Sequence, residues 1–289
     1  MRLKVSLRLA GPSLYTGSER ELEDLMPSTS LQPSLEGFEH AGWVQPTPGF
    51  RLWHTAPGPV DQVQIFGQRC SGTNVLRKLV SANFGAEAIT DFYGFKHWFV
   101  PEQILFPANV LIMVVARDPF DWIRSLHRQP WHAHPDLKTL AFSQFLRAEW
   151  HSYWDAEFGG IEPRHPLFGR EMLHERDPAT RLRFANALRK RAAKLRSWSE
   201  LTTRCNHLAL LDQAVLASTP HVVLDALAQA LGRAHPADLT ALQSYKGNGL
   251  TPFQPRRYDP LTPEDVDFVR SQLDPDVEHL FGYDIARPV

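Results

Sequence analysis

The first residues able to do chemistry together are Gly67-Gln68-Arg69-Cys70-Ser71-Gly72-Thr73, with two glycines five apart after a short apolar run. A glycine-rich turn that opens a helix gathers backbone N–H groups in one concavity. The partial positive charge of the helix end adds to them, so the natural ligand is an anion. The spacing is that of the phosphate loop GxxxxGK[ST], but Thr73 takes the lysine position. Without that ammonium nothing reaches forward to bridge a β- and a γ-phosphate, which weakens a nucleotide-hydrolase reading. What remains suits a single terminal anion, with Arg69 as its cation. The same residues also fit an ordinary strand-to-helix turn.

A second anion-binding pair is Arg117, which closes an apolar run, and Ser125, eight residues on. Two such groups at separate points suggest a ligand with two separated phosphates; the alternative for Arg117 is a surface ion pair with Asp118 or Asp121. Between the two motifs lies Lys96-His97 in GFKHWF. A neutral imidazole can take a proton, and the adjacent ammonium can offset nearby negative charge; alternatively the two residues only cap a strand. His127, Arg128, Trp131, His132 and His134 crowd the next segment, without HExxH spacing and without a carboxylate or cysteine to complete a ligand set. A polar and aromatic wall is the better reading there than a metal site. Trp150, Tyr153, Trp154 and Phe158 either extend that wall or belong to the core.

These groups need elements to hold them. The run VQIFG reads as a strand and NVLRKLVSANF as the helix after the loop. VLIMVVA, residues 110 to 116, reads as a second buried strand, after which Asp118 caps and Pro119 opens a helix. Helices are expected over 137–154 and 179–201, the latter with Leu182, Ala185, Leu188, Ala192, Leu195 and Trp198 as its apolar stripe. Its other face, from Arg181 to Arg196, is strongly basic and reads as solvated, or as a holder of an acidic glycan or partner. NHLALL, residues 206 to 211, is a third strand, and Pro220 opens a helix that Gly232 ends. Such alternation predicts an α/β fold of three layers, a central parallel sheet flanked by helices, with ligands at the carboxyl ends of the strands. Residues 1–60, rich in Gly, Pro and Ser, read as a loosely ordered lead-in to a domain over 61–289.

Together, Q-R-C-S-G-T-N and R-D-P-F-D-W-I-R-S resemble the two cofactor motifs of sulfotransferases that use 3′-phosphoadenylyl sulfate (PAPS). The segment LALLDQAVLASTPHVVLDALAQALG resembles that family's following strand, loop and helix, and the likeness covers roughly residues 61 to 283. The resemblance implies a P-loop-like fold. It places Arg69, Cys70, Ser71, Gly72, Thr73 and Asn74 at the sulfate-bearing end of PAPS, and Arg117 and Ser125 at its 3′-phosphate. His97 would be the general base, with Lys96 and Arg69 at the leaving group. Lys246, in Tyr245-Lys246-Gly247, would close over the cofactor, with Arg256 and Arg257 as competitors. The product nucleotide would be 3′,5′-adenosine bisphosphate (PAP), the acceptor a small molecule or glycan bearing a hydroxyl or amine, and no metal is implied. Two departures stand out: Cys70 separates Arg69 from Ser71, and the family's Y-E-D-L acid is reduced to Asp212. A P-loop small-molecule kinase and a catalytically silent nucleotide-binding module are the alternatives.

Composition bounds these readings. The chain has 289 residues, 43% hydrophobic and 22% charged, enough apolar material for a substantial core and against disorder as the main state. Thirty-one basic against thirty-two acidic residues leave a net charge of −1, so no global field gathers nucleic acid or anionic membrane. Two cysteines and the absence of a long uncharged apolar stretch make a soluble cytoplasmic protein the expectation.

Overall fold

The computed structural model describes residues 42–54, 59–233 and 258–289. Six strands form one mixed sheet: β1 (Trp43–Thr47), β2 (Phe50–His54), β3 (Gln62–Gly67), β4 (Ile89–Thr90), β5 (Val110–Ala116) and β6 (His207–Asp212), in the order β1-β2-β6-β5-β3-β4. The pairs β3–β4, β3–β5 and β5–β6 are parallel, whereas β1–β2 and β2–β6 are antiparallel. All seven residues of β5 are buried, as expected of a central strand covered on both faces.

Helices supply that cover. On one side Val63, Ile65, Leu111, Met113, Val115 and Leu211 pack with α1 (Thr73–Phe84) and with α7 (Pro220–Ala230), which follows the short α6 (Gln213–Ser218). On the other side Phe66 stacks on Trp198 of α5 (Ala187–Ser199), their ring centroids 6.2 Å apart. A second cluster joins α2 (Pro119–Arg128), α4 (Phe142–Arg147), α5 and α8 (Pro263–Gln272). The remaining helices are α3 (Pro135–Lys138) and α9 (Pro275–Leu280). Asp118 caps α2 as its sequence suggests, accepting from the N–H groups of Phe120 and Asp121 at 3.1 Å. Among the described residues, no helix is long and apolar enough to cross a membrane.

Three expectations change. Within the supposed lead-in, residues 43–54 form an ordered hairpin that extends the sheet, joined through Gly49 at φ +79°. Phe50 is fully buried in the core, and one aromatic anchor of this kind outweighs the loop-like composition around it. The helix expected over 137–154 is only α3 and α4; the chain then turns extended, and Trp150 N–H donates to Phe184 O at 2.9 Å. The helix expected from 179 starts at 187, where the Asn186 side chain accepts from Arg189 N–H, and Leu182 lies outside it, 66% exposed.

The hairpin is also tied to the sheet by a histidine pair. His207 Nε2 faces Ala108 O at 2.7 Å, and since a carbonyl only accepts, this nitrogen carries the proton. Nδ1 of His207 is then the acceptor for His54 Nδ1–H at 2.6 Å. Burial, then the neighbouring His54, pushes His207 below its ordinary 6.5. Above 6.5 both folded and unfolded chains keep this ring neutral. As the pH falls through 6.5, the unfolded chain takes up a proton that the folded one refuses, so stability drops until the lowered native value is passed. A melting series from pH 7 to 5 should therefore show a falling Tm, and His207→Gln should make the fall shallower.

Candidate functional site

The chain leaves β3 toward β4 on one side while β5 lies on the other, so the carboxyl ends of β3 and β5 flank the crevice where open α/β sheets bind ligands. Gly67 ends β3 there. A Cβ on it would lie 2.5 Å from Val115 O and 2.8 Å from Thr73 Cγ2, so only glycine lets loop and strand approach this closely. The loop then runs through Cys70 at φ +66° and Gly72 at φ +90°. α1 opens with no side-chain cap and no acidic residue in its first turn. Ser71 Oγ is buried without a hydrogen-bond partner among the described residues. Uncapped helix N–H groups beside an orphaned hydroxyl make a cradle for an anion.

The second motif adjoins the first. Trp122 Nε1–H of α2 donates to Arg69 O at 2.8 Å, and Cys70 Sγ lies 3.8 Å from Ser125 O. Arg117 directly follows β5, half-buried, with its guanidinium 5.9 Å from the Tyr258 ring centre. The ion pair considered for it is not formed: Asp118 pairs with Arg287 and Asp121 with Arg124. Tyr258, which sequence reasoning missed, also lies 5.1 Å from Arg124, and no spacing in the sequence signals it. Lys246, Arg256 and Arg257 lie outside the described residues.

His97 is fastened to the start of the loop. Gly67 N–H donates to Lys96 O at 3.0 Å, and His97 Nδ1–H donates to Gly67 O at 2.6 Å. That bond fixes the tautomer, and Nε2 is left with a lone pair and no partner among the described residues. Burial, then the charges of Arg69 and Lys96, pushes His97 well below its ordinary value of 6.5, so the ring is a neutral proton acceptor at neutral pH. Lys96 Nζ donates to Asn74 Oδ1 on the first turn of α1. Burial and then Arg77 lower its pKa as well.

Arg69 departs from expectation. Its guanidinium turns away from the loop and into the interior, where Nη1 meets Glu175 Oε1 at 3.0 Å. The basic face of α5 departs too: Lys190, Arg191 and Lys194 are 4%, 0% and 1% exposed, not solvated. Lys190 and Lys194 join Arg69 on Glu175, and Arg191 forms a two-pronged pair with Glu278 at 2.6 and 2.7 Å. Burial alone would raise Glu175, but Arg69, Lys190 and Lys194 together hold its carboxyl well below 4.5.

The histidine-rich segment divides. His127 Nε2–H donates to Leu140 O at 2.9 Å, a structural role. His132 does gather two carboxylates, contrary to expectation: Asp155 and Glu157 reach it by folding back from 23 and 25 residues further along the chain. The Lys138 ammonium stands 3.6 and 3.7 Å from those two acids and already offsets their charge. Phe95, Trp98, Trp154 and Phe158 form one aromatic group beside His97, with Phe95 5.2 Å from its ring. Trp150 instead belongs to the core at 2% exposure, and Tyr153 packs on His134 and His151.

Comparison of the chain with family models, curated proteins and solved structures finds no match.

Proposed function

We propose that this chain is a sulfotransferase that moves the sulfuryl group of PAPS to a hydroxyl or amine acceptor on a P-loop-like fold. The observation that carries the reading is the meeting of the two anion motifs at the ends of adjacent parallel strands, with Trp122 and Ser125 of α2 against the loop. The residues fit the donor: the orphaned Ser71 Oγ and the uncapped start of α1 suit its sulfate-bearing end, and Arg117 and Ser125 its 3′-phosphate. When bound, the donor supplies an activated sulfuryl group on a bisphosphate leaving group. His97 Nε2 takes the acceptor proton, while Gly67 O holds the ring in orientation. Lys96, steadied by Asn74, offsets charge on the departing oxygen. Arg69, committed to Glu175, acts through its field rather than by contact.

The test is thermal stabilisation by ligand. PAP at about 100 times its Kd should stabilise the chain by about 2.7 kcal/mol, and ATP with Mg²⁺ should not. Arg117→Ala should weaken PAP binding roughly 10- to 100-fold, the range expected for hydrogen bonds to a charged group. Equal stabilisation by ATP and Mg²⁺ would favour a kinase, and indifference to PAP would remove the proposal.

A further inference from the structure

One buried face of α5 reaches the loop, the segment of His97 and the end of β5. Arg191, Lys194 and Trp198 recur at helical spacing and so share a side of the helix, and none is more than 1% exposed. Each donates to a main-chain carbonyl oxygen of the site. Arg191 Nη2 reaches Arg117 O at 2.8 Å, Lys194 Nζ reaches His97 O, and Trp198 Nε1 reaches Trp98 O at 3.2 Å. In return the Arg191 carbonyl accepts from Gln68 Nε2 of the loop at 3.1 Å. The relative placement of base and anion motifs is therefore referred to a single rigid element.

The bond to His97 bears most directly on chemistry. Its ring is held through Nδ1–H on Gly67 O, and its main chain through Lys194. Among the described residues no other donor reaches His97 O. Lys194 Nζ also stands 3.0 Å from Glu175 Oε1, the atom that Arg69 Nη1 of the loop meets at the same distance. One carboxylate thus ties the segment of the base to the loop. The tie needs N–H groups more than it needs charge. Burial lowers the Lys194 pKa to about 8, and an ammonium and a neutral amine alike have one N–H for His97 O and another for Glu175.

We propose that Lys194 is a positioning residue for His97: by holding the His97 main-chain oxygen it keeps Nδ1–H on Gly67 O and so sets the direction of the Nε2 lone pair. The reaction this serves is the proposed transfer, on which that part of the inference rests. Without the donor, a buried carbonyl oxygen is left unpaired, and the segment must shift to relieve it.

Lys194→Met tests the role, since methionine keeps much of the bulk and loses the donors while Arg69 and Lys190 stay against Glu175. Nitrogen-15 NMR should show His97 as the Nδ1–H tautomer alone in the unaltered chain and as a mixture with the Nε2–H form in the variant. Under the proposed transfer kcat should fall roughly 10²-fold, the cost of a small misplacement of a reacting group, while PAP still raises the Tm. Lys190→Met, which also loses a contact to Glu175 but has no bond to His97, should leave the tautomer as it is. A folded Lys194→Met with an unchanged tautomer and unchanged kcat overturns the proposal. So does an equal change in Lys190→Met, the mark of a role confined to the stability of the cluster. Should Lys194→Met not fold, a coupling across the hydrogen bond between Lys194 Nζ and the His97 carbonyl carbon in the unaltered chain decides, and its absence overturns the proposal. If PAP fails to stabilise the unaltered chain, the sulfuryl-transfer reading falls separately, and the tautomer comparison still decides what holds the ring.

Discussion

Replacing Glu175 by glutamine is expected to lower the free energy of unfolding by about 3–5 kcal/mol, because it keeps the shape of the side chain while stranding buried cations. Glu175 Oε1 and Oε2 are the shared partners of Arg69, Lys190 and Lys194, all of them inaccessible to water. An amide oxygen accepts hydrogen bonds but cancels no charge, so the three cations would repel one another in a poorly screening interior. Urea denaturation measures the loss, which corresponds to a fall in Tm of about 5–8 °C. Adding Lys190→Met to Glu175→Gln removes one of the stranded charges and should recover part of the stability. A loss below about 1 kcal/mol, the scale of an exposed pair, would mean that the cluster is not charged as drawn.

The second large effect concerns turnover. If the proposed sulfuryl transfer is the activity, His97→Gln should reduce kcat by about 10²- to 10⁴-fold, the usual contribution of a positioned general base. Glutamine can still donate to Gly67 O, so the loop should keep its shape and PAP should still raise the Tm. A role limited to structure would instead lose binding and turnover together. In the unaltered chain, burial and the positive neighbours Arg69 and Lys96 keep the ring neutral, so under the proposed transfer the acid limb of the kcat/KM profile should lie well below pH 6.5. An acid limb at or above 6.5 would assign the proton to another group.

The strands β3, β5 and β6 and the loop between β3 and α1 were legible because their signals are local. A fully buried parallel strand is a continuous apolar run, and glycines at 67 and 72 announce a tight turn wherever they stand. The cap at Asp118 was legible for the same reason. By contrast, helical periodicity assigns every charge on α5 to solvent. Only the fold brings Glu175 and Glu278, 15 residues before Lys190 and 87 residues after Arg191, against the inner side of that helix. The inward turn of Arg69 has the same origin, its partner being 106 residues away. Likewise the bond from His97 to Gly67 spans 30 residues and leaves no trace in composition or spacing. The hairpin over 43–54 was hidden by Pro46, Pro48 and Gly49, which read as loop although they serve as a weak edge and the turn.

Cys70 holds a left-handed backbone conformation that costs a residue with a Cβ roughly 1–2 kcal/mol, and its side chain has no short polar group to soften that cost. Its sulfur lies 3.8 and 3.7 Å from the Ser125 and Gln129 carbonyl oxygens. An engineer ranking variants by heat resistance alone would thus be drawn to glycine at this position. The hardier product would have lost the thiol that fastens the turn to the neighbouring helix, so that selection for durability and selection for grip on the proposed ligand pull this one residue in opposite directions.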